Sequence, residues 1–428
     1  MNNWRIDSQE VDCFFNTVEK IKRKMQKNED DMARIKDFVT PAGAKTREIK
    51  FEHKIRAYRR NRFFKILVIS IVSALMIGMI LFLWDNSVYT SYTEISSFPR
   101  ISSSDSVCLD YNGRILTYSK DGVSSMDTKG NLIWNETYQM QDPIVEINGN
   151  AVAVGDYNGH IIYVMNEKGK VCEIDTNLPI KDICVSKTGV VAAVLQDSKL
   201  MKLSLYDAKG NKFVESECRM SQSGYPMAVA LSDSGEVMAV SYFYVDSGSM
   251  KSSIAFYNFT DVGQNSLDRL VGGNEYASTI VPYIGFSGKD TAFAVGNSRI
   301  SFYSGTDKPV SIAENLLSEE IQAVYTGSEY VGLVYIDSTG ASLYRMDLYD
   351  KKGKLILSQN IDIEYQKIII QKNSIVAYND IECVMYSLSG KEKYRGTFGK
   401  SVSLLIPANK SNRFIMVSSA SIDIIELN

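Results

Sequence analysis

Three hydrophobic patterns follow one another along the chain. Residues 8–37 contain no Gly or Pro and place Val11, Phe14, Val18, Ile21, Met25, Met32 and Ile35 at a and d heptad positions, with Asn28 at the remaining d place. This spacing predicts a helix, opened by a capping arrangement of Asp7 with Glu10. Four heptads suit either a coiled coil, in which a polar core residue sets register, or an amphipathic helix that docks on a partner or the inner leaflet. "TPAGA" at 40–44 ends it.

The second pattern is continuous. From Ile66 to Trp84 only Ser70, Ser73 and Gly78 interrupt nineteen otherwise apolar, uncharged residues. As a helix this run is roughly 28 Å long, close to the thickness of a hydrocarbon core. "RAYRRNRFFK" precedes it and Asp85 follows. The positive-inside rule therefore predicts a cytoplasmic N-terminus and an external C-terminal region, with Trp84 at the interface. The expected organisation is a cytoplasmic helical and basic tail at 1–62, a single transmembrane helix at 63–85 acting as signal anchor, and an extracytoplasmic domain at 86–428.

After residue 100 the period changes to short strands separated by turns. "MDTKGNLIW", "MNEKGKVCEI", "YDAKGNKFV", "YDKKGKLIL" and "YSLSGKEKY" align in one frame, with glycines spaced by 39, 41, 143 and 37 residues. The long gap holds two copies that lost the frame, near Tyr257 and Tyr303. The glycine serves a hairpin turn that needs positive φ. A second series checks the count: "RILTY", "AVAVG", "VVAAV", "EVMAV", "TAFAV", "YVGLV", "SIVAY" and "RFIMV", eight runs read as strands buried on both faces. Their small residues suit strands converging near an axis.

Eight units of about 40 residues with four short strands each predict an all-β, eight-bladed β-propeller. Seven blades is the competing count. The last unit, from Ser401, has three strands, so "YTSYTEISSF" (89–98) is expected to supply the fourth and remove a sheet edge. "YFYVDSGSMKSS" (242–253) is expected to protrude, either as a binding loop or as a solvated hairpin extension. "DYNG" at 110–113 and 156–159 falls in different phases and is a turn sequence used twice.

Here a family resemblance appears. "VSSMDTKGNLIW" resembles the repeat of quinoprotein-type (pyrroloquinoline-quinone-like) and WD40-like propellers, through Asp127, Gly130 and Trp134. The layout is similar to uncharacterised membrane-anchored propeller proteins of clostridial bacteria. The resemblance covers roughly residues 100–428 and implies the fold. Cofactor-binding quinoproteins carry an adjacent cysteine pair and calcium-binding acidic residues near the axis, and no adjacent cysteines occur here. Trp134 is thus expected to pack between blades.

Charge and chemistry refine this picture. The net charge of −3 divides into 17 Lys+Arg against 10 Asp+Glu in residues 1–65, and 30 against 40 beyond. The basic cluster beside the span is explained by anionic lipid, so no nucleic-acid partner is assigned. Six cysteines without a C-x-x-C pair, and two histidines, exclude the usual zinc sites. Cys108, Cys172, Cys184, Cys218 and Cys383 read as small buried hydrophobes, with a Cys172–Cys184 disulfide left open. His160 reads as a surface residue. No catalytic, cofactor-binding or metal residue and no cofactor is assigned.

The expected role is a non-enzymatic binding or scaffold protein of the cell envelope. Protein partners would bind through the propeller face and the N-terminal helix, which is also a candidate for coiled-coil self-association. The alternatives are a quinone-cofactor or other propeller enzyme, and a transmembrane sensor relaying to a cytoplasmic partner.

Overall fold

The computed structural model describes residues 58, 60–79, 88–100, 105–220 and 223–428. The heptad segment and the end of the apolar run lie outside the described residues. The chain divides into two compact units, Met1–Trp84 and Asp85–Asn428.

In the first unit, Arg60–Met79 is a single helix, long and apolar enough to cross a membrane by length and composition. The Ser70 hydroxyl donates to the Leu67 carbonyl at 2.8 Å. A polar side chain in an apolar run thus satisfies itself on its own helix.

The second unit is an eight-bladed β-propeller. Among the described residues there are eight four-stranded antiparallel sheets. Blade 1 comprises Val107–Tyr111, Arg114–Ser119, Gly122–Met126 and Leu132–Thr137. Blades 2 to 7 begin at Pro143, Ile180, Tyr225, Tyr283, Ile321 and Lys367. The first strands of neighbouring blades touch around the axis. Blade 8 is made of Val402–Pro407, Arg413–Ser418 and Ser421–Leu427, completed on its outer edge by Tyr92–Pro99 from the start of the domain. The expected ring closure is therefore observed.

All eight apolar runs of the second series are second strands, one position outward from the axis. Their small residues do not line the axis, as the sequence suggested. They lie where both sheet faces are pressed by neighbouring blades: Ala153, Ala193, Ala239 and Ala377 are fully buried. The core consists of apolar clusters at the blade interfaces. One joins Leu404, Ile406, Ile415 and Val417 of blade 8 to Cys108 and Ile115 of blade 1.

The glycine frame has a clear physical basis. Gly130, Gly169, Gly210, Gly353 and Gly390 all have φ between 77° and 115°. The residue three places earlier caps the turn. Asp127 accepts from the Lys129 and Asn131 amides at 2.8 and 2.9 Å, and Asp207 does the same for Lys209 and Asn211. In blade 4 the turn is replaced by a helical turn, Asp261–Gln264, followed by Leu267–Arg269.

Of the two readings of the segment at 242–253, the structure shows the hairpin extension. It is a regular hairpin in which Val237–Asp246 and Ser249–Asn258 pair along their full ten-residue length. Ser247 and Gly248, at φ 51° and 79°, form the two-residue turn that continuous pairing requires. The two "DYNG" sequences do differ in phase: Asn112-Gly113 turns between the first and second strands of blade 1, and Asn158 lies after the second strand of blade 2.

Candidate functional site: a cleft and two axial carboxylates

A propeller has two faces. One bears the turns between second and third strands and the connections from one blade to the next. On this face a cleft of about 590 Å³ opens between blades 5 and 6. Its walls are Ile280, Pro282, Tyr283, Val295, Ile321 and Val324, with Asn297, Glu320 and Gln322 as the polar members.

Local structure builds this cleft. The connection from blade 4 to blade 5 is pinned to the blade 5 turn by reciprocal bonds: Asn297 N–H donates to the Ile280 carbonyl at 3.0 Å, and Ile280 N–H to Asn297 Oδ1 at 3.1 Å. Gly296 leaves no room for a side chain, since a Cβ there would lie 2.8 Å from Thr279 Cγ2. On the opposite wall the first strand of blade 6 shifts register between Ile321 and Ala323, a bulge centred on Gln322. Bulges re-aim side chains next to binding sites. Tyr283 stacks on Phe293, with ring centroids 5.9 Å apart.

Tyr283 connects the cleft to the axis. Its phenol pKa is pushed up by burial and then by the charge of Glu146. Glu146, on the first strand of blade 2, is accessible to solvent yet surrounded by enough protein that burial, followed by the charge of Asp182, pushes it up to about 7. Asp182, on the first strand of blade 3, is pushed up to about 6 by burial, against the pull of the Ile183 amide at 2.9 Å. Burial is the leading cause of both shifts, and the charge of Asp182 adds to the shift of Glu146. Among the described residues no group of three or more His, Cys, Asp or Glu is placed to hold a metal ion.

The sequence reading missed Glu146, Asp182 and Tyr283. A signal was present in "PIVEIN" and "IKDICV": a carboxylate inside a strand that is otherwise largely apolar. Other expectations are met. Trp134 is 7% exposed and packs against Tyr111 of its own blade and Val152, Val154 and Met165 of blade 2. His160 is exposed. All five described cysteines are free; Cys108, Cys184, Cys218 and Cys383 are buried as expected, whereas Cys172 is half-buried.

The model of a family of unknown function (DUF5711) matches residues 85–427, the entire propeller. The chain belongs to that family. No curated protein gives a significant match to the sequence. Among solved structures, Saccharomyces cerevisiae Sqt1 is 11% identical, with 80% of this chain and 100% of that chain covered at a TM-score of 0.50. BamB from Moraxella catarrhalis is 12% identical, covering 79% and 100%, at 0.47. AztD from Citrobacter koseri is 11% identical, covering 69% and 87%, at 0.48. At these identities the likeness is one of fold.

Proposed function

We propose that this chain is a single-pass membrane protein whose propeller stands outside the cell and binds a protein partner as a non-enzymatic scaffold of the envelope. The cleft between blades 5 and 6 carries this reading. Its apolar walls, with a few fixed polar groups, suit an uncharged stretch of polypeptide. The same face exposes Leu316 at 77% and Ile336 at 58%, more than isolated surface residues need. The helix Arg60–Met79, with the basic cluster at its start, supports anchoring with residues 1–62 in the cytoplasm.

A photo-crosslinking amino acid at Leu316 tests the reading in cells of the native host. The expected result is a discrete protein adduct that Gln322→Arg, placed in the cleft, abolishes. No adduct, or an adduct indifferent to Gln322→Arg, would contradict it.

A further inference from the structure

The opposite face bears the turns between third and fourth strands, and there the outer rim repeats one feature. In blades 1 to 7 the ladder between these strands shifts register just after the turn, leaving one bulged residue on the outermost strand. In five of them that residue is apolar and open to solvent: Ile133 41%, Val171 45%, Phe213 48%, Ile312 45% and Ile356 37%. Blade 4 substitutes its helical excursion, whose Leu267 is 87% exposed. A bulge leaves its residue outside the ladder, so pairing does not demand a hydrophobic side chain there. Spread over five of the eight blades, at matching positions after the turn, these residues leave apolar surface unburied by the propeller itself.

Two further observations say what covers it. The turns at this rim are basic. The seven third-to-fourth-strand connections hold nine Lys+Arg against six Asp+Glu, whereas the blade-to-blade connections on the other face hold three against six. Lys129, Lys168, Lys209, Lys308 and Lys352 are all exposed. The propeller also starts at this rim: Tyr92 opens the outer strand of blade 8 opposite Leu427, at the end of the third strand. The apolar run ends at Trp84, eight residues before Tyr92 in the sequence.

We propose that this rim docks on the outer surface of the bilayer, its apolar ring entering the interfacial zone and its lysines meeting anionic headgroups. Apolar side chains beside a fringe of lysines are the arrangement by which surface-bound segments hold to anionic lipid. The proposal rests on the anchored reading above. It leaves the cleft-bearing face pointing away from the membrane, free for a partner.

The test uses the full chain in proteoliposomes whose lipids carry brominated acyl chains. Phe213→Trp and Ile356→Trp each add an indole at the rim, and Val245→Trp adds one at the hairpin tip on the other face. Each is read as the emission difference from the parent. The expected result is loss of the added emission at both rim positions, greater in anionic than in zwitterionic bilayers, with none at Val245. Equal emission at all three positions, in protein that resists alkaline extraction, would overturn rim docking while leaving the anchor intact. Rim emission that is quenched equally in both lipids would overturn the role of the lysines. Release of the chain by alkaline extraction would overturn the anchored reading, and docking with it.

Discussion

Tyr92 stands opposite Leu427 in the antiparallel ladder that joins the first strand of the propeller to its last. The outer strand of blade 8 is thus supplied from the far end of the domain. The ring is latched by chain ends rather than by a local hairpin.

The latch has a buried polar fastening. Asp423 on the last strand is fully buried and accepts from Ser97 on the closing strand, from Ser421 and from Lys400 Nζ at 2.7 Å. Replacing it leaves Ser97 without its acceptor and Lys400 with Glu94, at 3.2 Å, as its remaining carboxylate partner. Asp423→Ala is expected to lower stability by about 2 kcal/mol, seen as an earlier thermal unfolding transition. Asp423→Asn, which keeps the shape, is expected to cost less. Equal unfolding of wild type and Asp423→Ala would show that the fastening contributes nothing.

Two turn glycines separate conformational strain from crowding. Gly113 and Gly353 have φ of 80° and 77°. A Cβ on Gly113 meets nothing within 4 Å, while one on Gly353 would lie 2.5 Å from Ala313 Cβ and 2.8 Å from Phe302 Cδ2. Gly113→Ala is expected to cost about 1 kcal/mol, from positive φ alone. Gly353→Ala adds overpacking of about 1–3 kcal/mol more. Chemical denaturation of both variants checks the order.

The axial carboxylates make stability depend on pH in an unusual direction. Glu146 and Asp182 titrate near 7 and 6 when folded, above their unfolded values near 4. The folded state therefore binds more protons between pH 4 and pH 7, and stability falls as pH rises through that window. Glu146→Gln is expected to flatten this slope and to raise the melting temperature relative to wild type at pH 8. Parallel melting curves for the two proteins from pH 5 to pH 8 would refute the coupling.

Trp134 tests the packing reading of the tryptophan. Its ring meets Tyr111 edge-on at 6.3 Å, and its buried Nε1 finds no partner among the described residues. Trp134→Ala is expected to cost about 3–5 kcal/mol through the cavity it leaves. Trp134→Phe is expected to cost much less, because it also removes an unsatisfied donor. Denaturant midpoints of the two variants decide it.

Blade count and closure were legible because they depend on local rules. Asp127 and Gly130 recur, in the same frame, wherever a turn needs a capped backbone at positive φ, and the missing strand after Ser401 left an edge that something had to cover. Registers were harder. The bulges at Ile133 and Phe213 come from pairing across a hairpin, which periodicity does not encode, and the turn at Ser247-Gly248 reads equally as loop or hairpin in composition. Glu146 and Asp182 come together because blades 2 and 3 are neighbours around an axis. Their proximity becomes visible only once the ring is closed.

The proposed placement of the propeller, outside the cell with its cleft-bearing face open, can be read by labelling a single thiol. Leu316→Cys places a thiol at a position that is 77% exposed on that face. Cys108, Cys184, Cys218 and Cys383 are buried, and Cys13 and the half-buried Cys172 are replaced by serine so that the added thiol is read alone. Labelling intact cells with a membrane-impermeant maleimide is the most direct measurement. The added thiol is expected to react as fully in intact cells as in permeabilised ones. Reaction only after permeabilisation would contradict it.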